Sequence, residues 1–314
     1  MIKIRQAVYD TYWKFAFERQ EIFYKKLSGA TPPFTQDSIL QTYKFCNVYR
    51  ASDRVSQDLI KSIYSFNTNS KDILFRIFLF RLLNKTETWN FLEKYFGQVS
   101  LSNFKFKTYD QVLSNLQKTS PIYGNAFILC ANKVYGFEKK HQNQLTLLNE
   151  IFIKTDKGDK LTDAKSLSDL FLQLRAFPLI GDFMAYQLAI DFNYSEVFTF
   201  DENAFTIAGP GAIRGINKCF EDTDGKSGDY LINLMVDNQE KEFNRLGLKF
   251  RNLWGRDLKA IDCQGLFCEV DKYSRVKFPE LASNRVRIKA KYNPSSQPLK
   301  YFFPPKWGVN DKIK

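Results

Sequence analysis

Along most of the chain apolar residues recur every three to four positions, a period that predicts helices rather than strands. Residues 2–27 carry it and stop before Gly29 and the loop ATPPFT. Asp37 is placed to cap a helix running through Tyr49, and another starts at Ser52 in SDRVSQDLIKSIYSF. Ser70, Lys71 and Asp72 open ILFRIFLFRLLN, apolar nearly all round except for Arg76 and Arg81, the pattern of a helix central to a bundle. TETWNFLEKYFG reads as a helix closed by Gly97, and TYDQVLSNLQKT as the next. Further helices are expected over 139–154, 166–176, 181–192, 211–220, 228–245 and 258–275. No internal repeat and no alternation of strands with helices interrupts this pattern, so the fold class is mainly α.

Charge adds a partner class. The 314 residues carry a formal net charge of +12, which favours a polyanion, nucleic acid ahead of an acidic membrane surface. From Arg275 onward ten Lys and Arg face only Glu280 and Asp311, so this tail holds eight of those charges. Within it RVRIKAKY alternates and puts Arg285, Arg287, Lys289 and Lys291 on one side of an extended segment, either a charged edge strand or a ribbon against phosphates. Five cysteines (46, 130, 219, 263, 268) and one histidine, His141, offer no zinc-ligand spacing, so no metal is expected and the thiols are read as reduced and cytoplasmic. DTDGKSGD lacks the spacing of a calcium loop and reads as a polar turn. The charged N-terminus is not a signal peptide, and the apolar runs are too short to span a bilayer.

The segment SLSDLFLQLRAF-PLIG-DFMAYQLAIDF is helix, tight turn, helix. Its turn faces the first amides of the second helix outward at the positive end of the helix dipole, where a phosphate oxygen is the natural ligand. Gly181 lets a DNA backbone come close, and the small Ala185 lets the helices cross tightly. This segment resembles the hairpin of the helix-hairpin-helix DNA glycosylases, with Phe177, Pro178, Ile180, Gly181 and Ala185 in the pattern's places and Leu179 where its first glycine stands. Twenty residues after Gly181, Asp201 in VFTFDENAF resembles the superfamily's catalytic aspartate. The resemblance implies that Asp201 stabilises an oxocarbenium-like sugar and activates water. Phe183 stands where bifunctional members carry a lysine, which implies a monofunctional enzyme that leaves an abasic site.

Five further segments narrow the resemblance: FCNVYRASDRVSQDLI, ILFRIFLFRL, FMAYQLAIDFNYS, AGPGAIRGINKCF and IDCQGLFCEVDKYSRV. Together, over about residues 40–280, they look like the helical domain of 5-hydroxymethyl-deoxyuridine DNA kinase, also described as alpha-glutamyl/putrescinyl-thymine pyrophosphorylase, a relative of the helical glycosylases. Two chemistries follow from it, excision of a hypermodified pyrimidine or group transfer at its 5-hydroxymethyl group with ATP or pyrophosphate. No GxxxxGK[ST] cradle is present, and the glycine-rich AGPGAIRGI loop with Arg214 is the one alternative seat for phosphate.

The expectation is therefore a helix-hairpin-helix glycosylase-like helical bundle with a short basic, partly extended C-terminal segment. Residues 1–160 would form a helical subdomain packed with the C-terminal helices, 161–276 the hairpin subdomain, and 277–314 the basic tail. The expected activity is excision of a modified pyrimidine from double-stranded DNA by Asp201, without a cofactor, by a monomer with no membrane association. The alternatives are a kinase or pyrophosphorylase using Mg-ATP, and a non-catalytic reader of modified DNA. Pro178, Ile180, Gly181, Asp182, Gly209, Gly211, Arg214, Arg285, Arg287 and Lys289 are the expected backbone contacts. Tyr49, Arg50, Asp53, Arg54, Tyr123, Asp262 and Glu269 are the expected base pocket. In it Tyr49 or Tyr123 stacks on the extruded base, Arg50 and Arg54 share a helical face, and Asp262 and Glu269, seven apart, share another.

Overall fold

A computed structural model describes residues 1–126, 132–281, 288–293 and 299–313. Among them lie thirteen α-helices. In chain order these are α1 (Gln6–Leu27), α2 (Ser38–Thr42), α3 (Arg54–Tyr64), α4 (Ser70–Leu83), α5 (Thr86–Phe96) and α6 (Phe106–Gln117). Then come α7 (Lys140–Asn149), α8 (Lys157–Thr162), α9 (Leu167–Arg175) and α10 (Asp182–Phe192). The last are α11 (Pro210–Cys219), α12 (Gly228–Arg245) and α13 (Ala260–Lys277). Two short strands, β1 (Lys3–Ile4) and β2 (Phe220–Asp222), pair antiparallel. The mainly helical class expected from the hydrophobic period is what the chain adopts. No helix among the described residues is long and apolar enough to cross a membrane.

The chain divides into two compact units. The first combines residues 1–54 with 205–314. Its centre is α13, against which α1, α11 and α12 pack. The contact with α11 is made at backbone distance. A Cβ added at Gly215 would lie 2.0 Å from the carbonyl oxygen of Phe267, and one at Gly211 2.4 Å from Cys268 Sγ. Aromatic edges fill the space beside it, Tyr12 against Phe267 and Trp13 against Phe243. Helix α13 starts where Asp262 accepts the Lys259 amide (3.0 Å) and stops at Phe278, before Pro279.

The second unit is residues 55–204. Helix α4 is buried along nearly its whole length, as its all-round apolar pattern predicts. Asn69 caps it, and Asn84 ends it in the left-handed conformation (φ 47°). The two arginines that interrupt its apolar pattern are buried and paired. Arg76 meets Glu93 at 2.9 Å, and Arg81 grips Asp191 of α10 through Nε (2.5 Å) and Nη2 (3.0 Å). His141 is also buried here, its Nε2 2.8 Å from Asp110 Oδ1, and burial lowers its pKa.

One helix is much shorter than its sequence period suggests. Asp37 does cap α2, accepting from the amides of Ile39 and Leu40, but the helix ends at Thr42 rather than at Tyr49. The reason is tertiary. Lys44 N donates to Ala290 O and Tyr292 N to Thr42 O, so from Tyr43 onward the chain turns extended and bridges the C-terminal segment. Arg50 and Arg54 then fall on different elements, a 3-10 turn over Arg50–Ser52 and the start of α3, and do not share a helical face.

Candidate functional site

In the second unit α9 and α10 form the expected hairpin. The turn is closed by Ile180 N donating to Phe177 O (3.2 Å), and Leu179 takes the left-handed conformation at φ 69°. Leu179 thus adopts the backbone state for which a glycine is the usual residue, at a cost of about 1–2 kcal/mol. Arg175 and Asp182 pair across the turn, both about half exposed or more. Gly181 is the N-cap of α10 and supplies no side chain to its amides, while Pro178, Gly181, Asp182 and Phe183 are exposed and Ile180 is buried. The first amides of α10 lack a side-chain cap, an arrangement suited to an anion.

Asp201 is exposed and its Oδ1 accepts the Asn203 amide at 3.0 Å. The segment before it is held by Asn193, which exchanges two hydrogen bonds with the backbone of Phe200, each 3.0 Å. Asn193 follows the C-terminal end of α10, whereas the hairpin amides open its N-terminal end. At 1.5 Å per residue the eleven residues of α10 set these ends roughly 15 Å apart. Tyr123 lies in the same unit, half-buried, with its hydroxyl on Gln144 (2.8 Å) and Lys140 Nζ over its ring (4.1 Å).

The first unit collects most of the other candidates. Glu269 and Asp262 do share a face of α13, and both receive amides from one loop, Cys46 N on Glu269 (2.9 Å) and Arg50 N on Asp262 (2.8 Å). Glu269 also pairs with Lys272 (2.8 Å) and with Lys289 of the C-terminal segment (2.7 Å). Burial alone would raise its pKa, but the two ammoniums outweigh it and hold the carboxyl at about 2. In the same loop Asn47 ties two further charges together. It accepts from Arg19 Nη2 (2.7 Å) and donates its amide to Asp53 Oδ1 (2.8 Å). Burial pushes Asp53 up to about 6, against the pull of the Asn47 amide and the Arg19 guanidinium. Tyr49 is fully buried, and its hydroxyl donates to Arg256 O (2.7 Å) and accepts from Leu253 N (3.1 Å). It braces the 253–256 turn and presents no open ring face. Arg54 is exposed.

A second hub surrounds Asp271, which has no exposed side-chain surface and is met by Arg214 (3.1 Å), Lys218 (3.1 Å) and Arg275 (2.5 Å). Burial would raise its pKa, and Arg275 and Lys218 together lower it. Gly209 is the buried N-cap residue of α11, and Gly211 packs against Cys268 of α13. Lys289 likewise faces a buried carboxylate rather than outward. Arg285 and Arg287 lie outside the described residues, as does Cys130. Arg19 and Asn47 carry no local sequence signal, whereas Lys272 stands three residues after Glu269, the spacing of a helical ion pair.

Comparison with known proteins bears on the chemistry. The family model described as "5-hmdU DNA kinase, helical domain" matches residues 6–283. A protein named 5-hmdU DNA kinase, from Bacillus phage SP10, is 25% identical over 289 residues. That alignment covers 85% of this chain and 45% of the phage protein, so the chain spans about half the length of its relative. No solved structure matches. These matches overturn the expectation of a glycosylase. A kinase transfers a phosphoryl group to a hydroxyl and leaves the glycosidic bond intact, so hydrolysis and the role of Asp201 beneath a breaking sugar both fall.

Proposed function

The chain belongs to the 5-hmdU DNA kinase helical-domain family, and on that premise we propose that it handles the DNA side of phosphoryl transfer to the 5-hydroxymethyl group of a modified pyrimidine. The match over residues 6–283 is the observation that carries this reading. In the reaction the substrate hydroxyl loses its proton, its oxygen attacks the terminal phosphorus of Mg-ATP, and ADP leaves. Such a transfer asks a protein for positioning, charge neutralisation and a proton acceptor.

This chain has residues suited to each task. The uncapped amides of α10, exposed between Pro178 and Phe183, suit a DNA phosphate. Arg214, partly exposed on α11 and anchored by Asp271, suits another. Asp53 is a half-buried carboxylate poised near neutrality, fixed through Asn47 beside a buried guanidinium, and is the group we assign to the hydroxyl proton. Incubation with duplex DNA containing 5-hydroxymethyluracil, with and without Mg-ATP, tests the reading. Label moving from the γ-phosphate of ATP to the modified base, and not to thymine, supports it. Alkali-labile abasic sites, or no label together with equal affinity for modified and unmodified DNA, would sink it.

A further inference from the structure

Lys26 lies in the last turn of α1, and its ammonium meets two rings. Nζ is 4.5 Å from the ring centroid of Tyr292 and 5.2 Å from that of Phe34. Both rings are half-buried and held through the backbone. Tyr292 N donates to Thr42 O (2.8 Å), and Lys25 Nζ donates to Phe34 O (2.8 Å). Tyr43 and Lys291 face each other in an antiparallel bridge, so side-chain alternation puts Lys44 and Tyr292 together on the other side of it. Lys26 and Lys44 are both exposed, and neither forms an ion pair among the described residues.

No negative charge answers the Lys26 ammonium. Burial, and after it the cations Arg19 and Lys44, bring its pKa down to about 8. The acids of the surrounding elements are turned elsewhere. On α1, Glu21 pairs with Arg251 (3.0 Å) and Glu18 accepts from the Thr35 hydroxyl. Before α2, Asp37 caps that helix and accepts from the Tyr273 hydroxyl. None of these three carboxylates acts on Lys26, and residues 288–293 carry no acid. Arg19 is buried and bound to Phe45 O and Asn47, so the cations that a ligand can reach are Lys26 and Lys44.

Cations that meet no carboxylate are the ones a nucleic-acid phosphate neutralises, with release of the counterions around the strand. A magnesium nucleotide asks in addition for a carboxylate to hold its metal, and none acts on Lys26. We propose that Lys26 and Lys44 hold a backbone phosphate of duplex DNA, with the Lys26 ammonium aligned by the rings of Tyr292 and Phe34. The proposal rests on DNA being the substrate, as the functional reading has it, and adds a phosphate contact at the end of α1. The phosphate supplies the negative charge that the site lacks, so it binds Lys26 as the ammonium. Where the amine of the unbound protein is partly neutral, binding takes up a proton.

The test is fluorescence anisotropy of a labelled duplex titrated with the full chain at pH 7 and pH 9. Wild-type affinity should fall about ten-fold between them, because the protonated fraction of Lys26 falls by that factor across a pKa of about 8. Lys26→Arg keeps its charge at both pH values, so it should bind at pH 7 like wild type and show no such fall. Lys26→Gln should weaken binding at pH 7 on the order of five-fold, flatten the log Kd against log salt slope by about 0.9, and also lose the fall. Lys44→Gln should weaken binding likewise and, with one repelling cation gone, move the fall to higher pH. All three change exposed side chains, and an unchanged thermal midpoint checks that they fold. Unchanged affinity at pH 7 in Lys26→Gln would overturn the site, and a ten-fold fall that persists in Lys26→Arg would overturn Lys26 as the seat of the proton. Displacement of the duplex by Mg-ATP in wild type, lost in Lys26→Gln, would assign the cations to a nucleotide and overturn the strand. Thymine and 5-hydroxymethyluracil duplexes are titrated alike, so a failure of phosphoryl transfer leaves this result standing. Absence of any duplex binding by wild type would sink the functional reading itself.

Discussion

Glu269 of α13 and Lys289 of the C-terminal segment are joined by a 2.7 Å ion pair between largely buried side chains. The basic segment after α13 is therefore partly an internal strut. Glu269 has its pKa held at about 2, below the usual 4.5. Its stabilising contribution is fully present above pH 4.5 and is lost as pH falls from there through about 2. Glu269→Gln should destabilise the fold by on the order of 3 kcal/mol at pH 7 and flatten the acid limb of the stability curve in that window. Urea melts at pH 7 and pH 3 check this, and equal losses at both would remove the ion pair as the cause.

Gly215 and Gly181 should respond in opposite ways to alanine. At Gly215 the new methyl meets a backbone oxygen at 2.0 Å, and α11 must move off α13, costing about 3 kcal/mol or more. At Gly181 nothing lies within 4 Å of a new Cβ and φ is −88°, so stability should change by less than ~0.5 kcal/mol. The affinity for duplex DNA should nonetheless fall in Gly181→Ala if a phosphate approaches the α10 amides. Thermal melts and a binding titration on the two variants separate packing from contact.

Asp53→Asn should lower phosphoryl transfer by roughly 10²-fold, the scale of losing a general base. A base must be unprotonated to act, so wild-type kcat/KM should be low below pH 6 and rise as pH passes through about 6. In the variant that limb should vanish. An unchanged pH profile in Asp53→Asn would assign the proton to another group.

Arg81 and Asp191 form a bidentate pair with almost no exposed surface in the second unit. Removing one partner strands the other charge. Asp191→Asn should cost about 3–5 kcal/mol, and Arg81→Met should cost no less. The double variant Arg81→Met with Asp191→Leu should recover part of that loss, because neither charge is stranded, while Asn84 Oδ1 still loses the 2.6 Å bond from Arg81 Nη1. Chemical denaturation of the three proteins measures the coupling, and additive losses would rule it out.

Helices were legible where one face or the whole surface of a segment is apolar. The period and caps of α4, α5 and α12 place them within a residue or two of their observed ends. Helix α2 was misjudged because its continuation pairs with residues 290–292, more than two hundred positions away, and no local pattern reports such a pairing. Asp262 and Glu269 were legible as acids on a shared face, and the amides of the 46–50 loop and the pairing of Glu269 with Lys289 come from segments far away in sequence. The helix-turn-helix segment over residues 167–192 was legible as two helices, and the reaction inferred from it was wrong, because a fold element does not fix a chemistry. Arg19 and Asn47 were invisible because their partnership exists only after α1 folds against the 45–53 loop.

The close approach of α11 to α13 has a mechanical consequence. With Gly215 against the Phe267 carbonyl and Arg214 hooked to Asp271, the two helices meet with no room for a side chain between them at this point. A load on Arg214 would therefore bear on the helix that carries Glu269 and Tyr273, so a force at the surface of the unit would reach its interior.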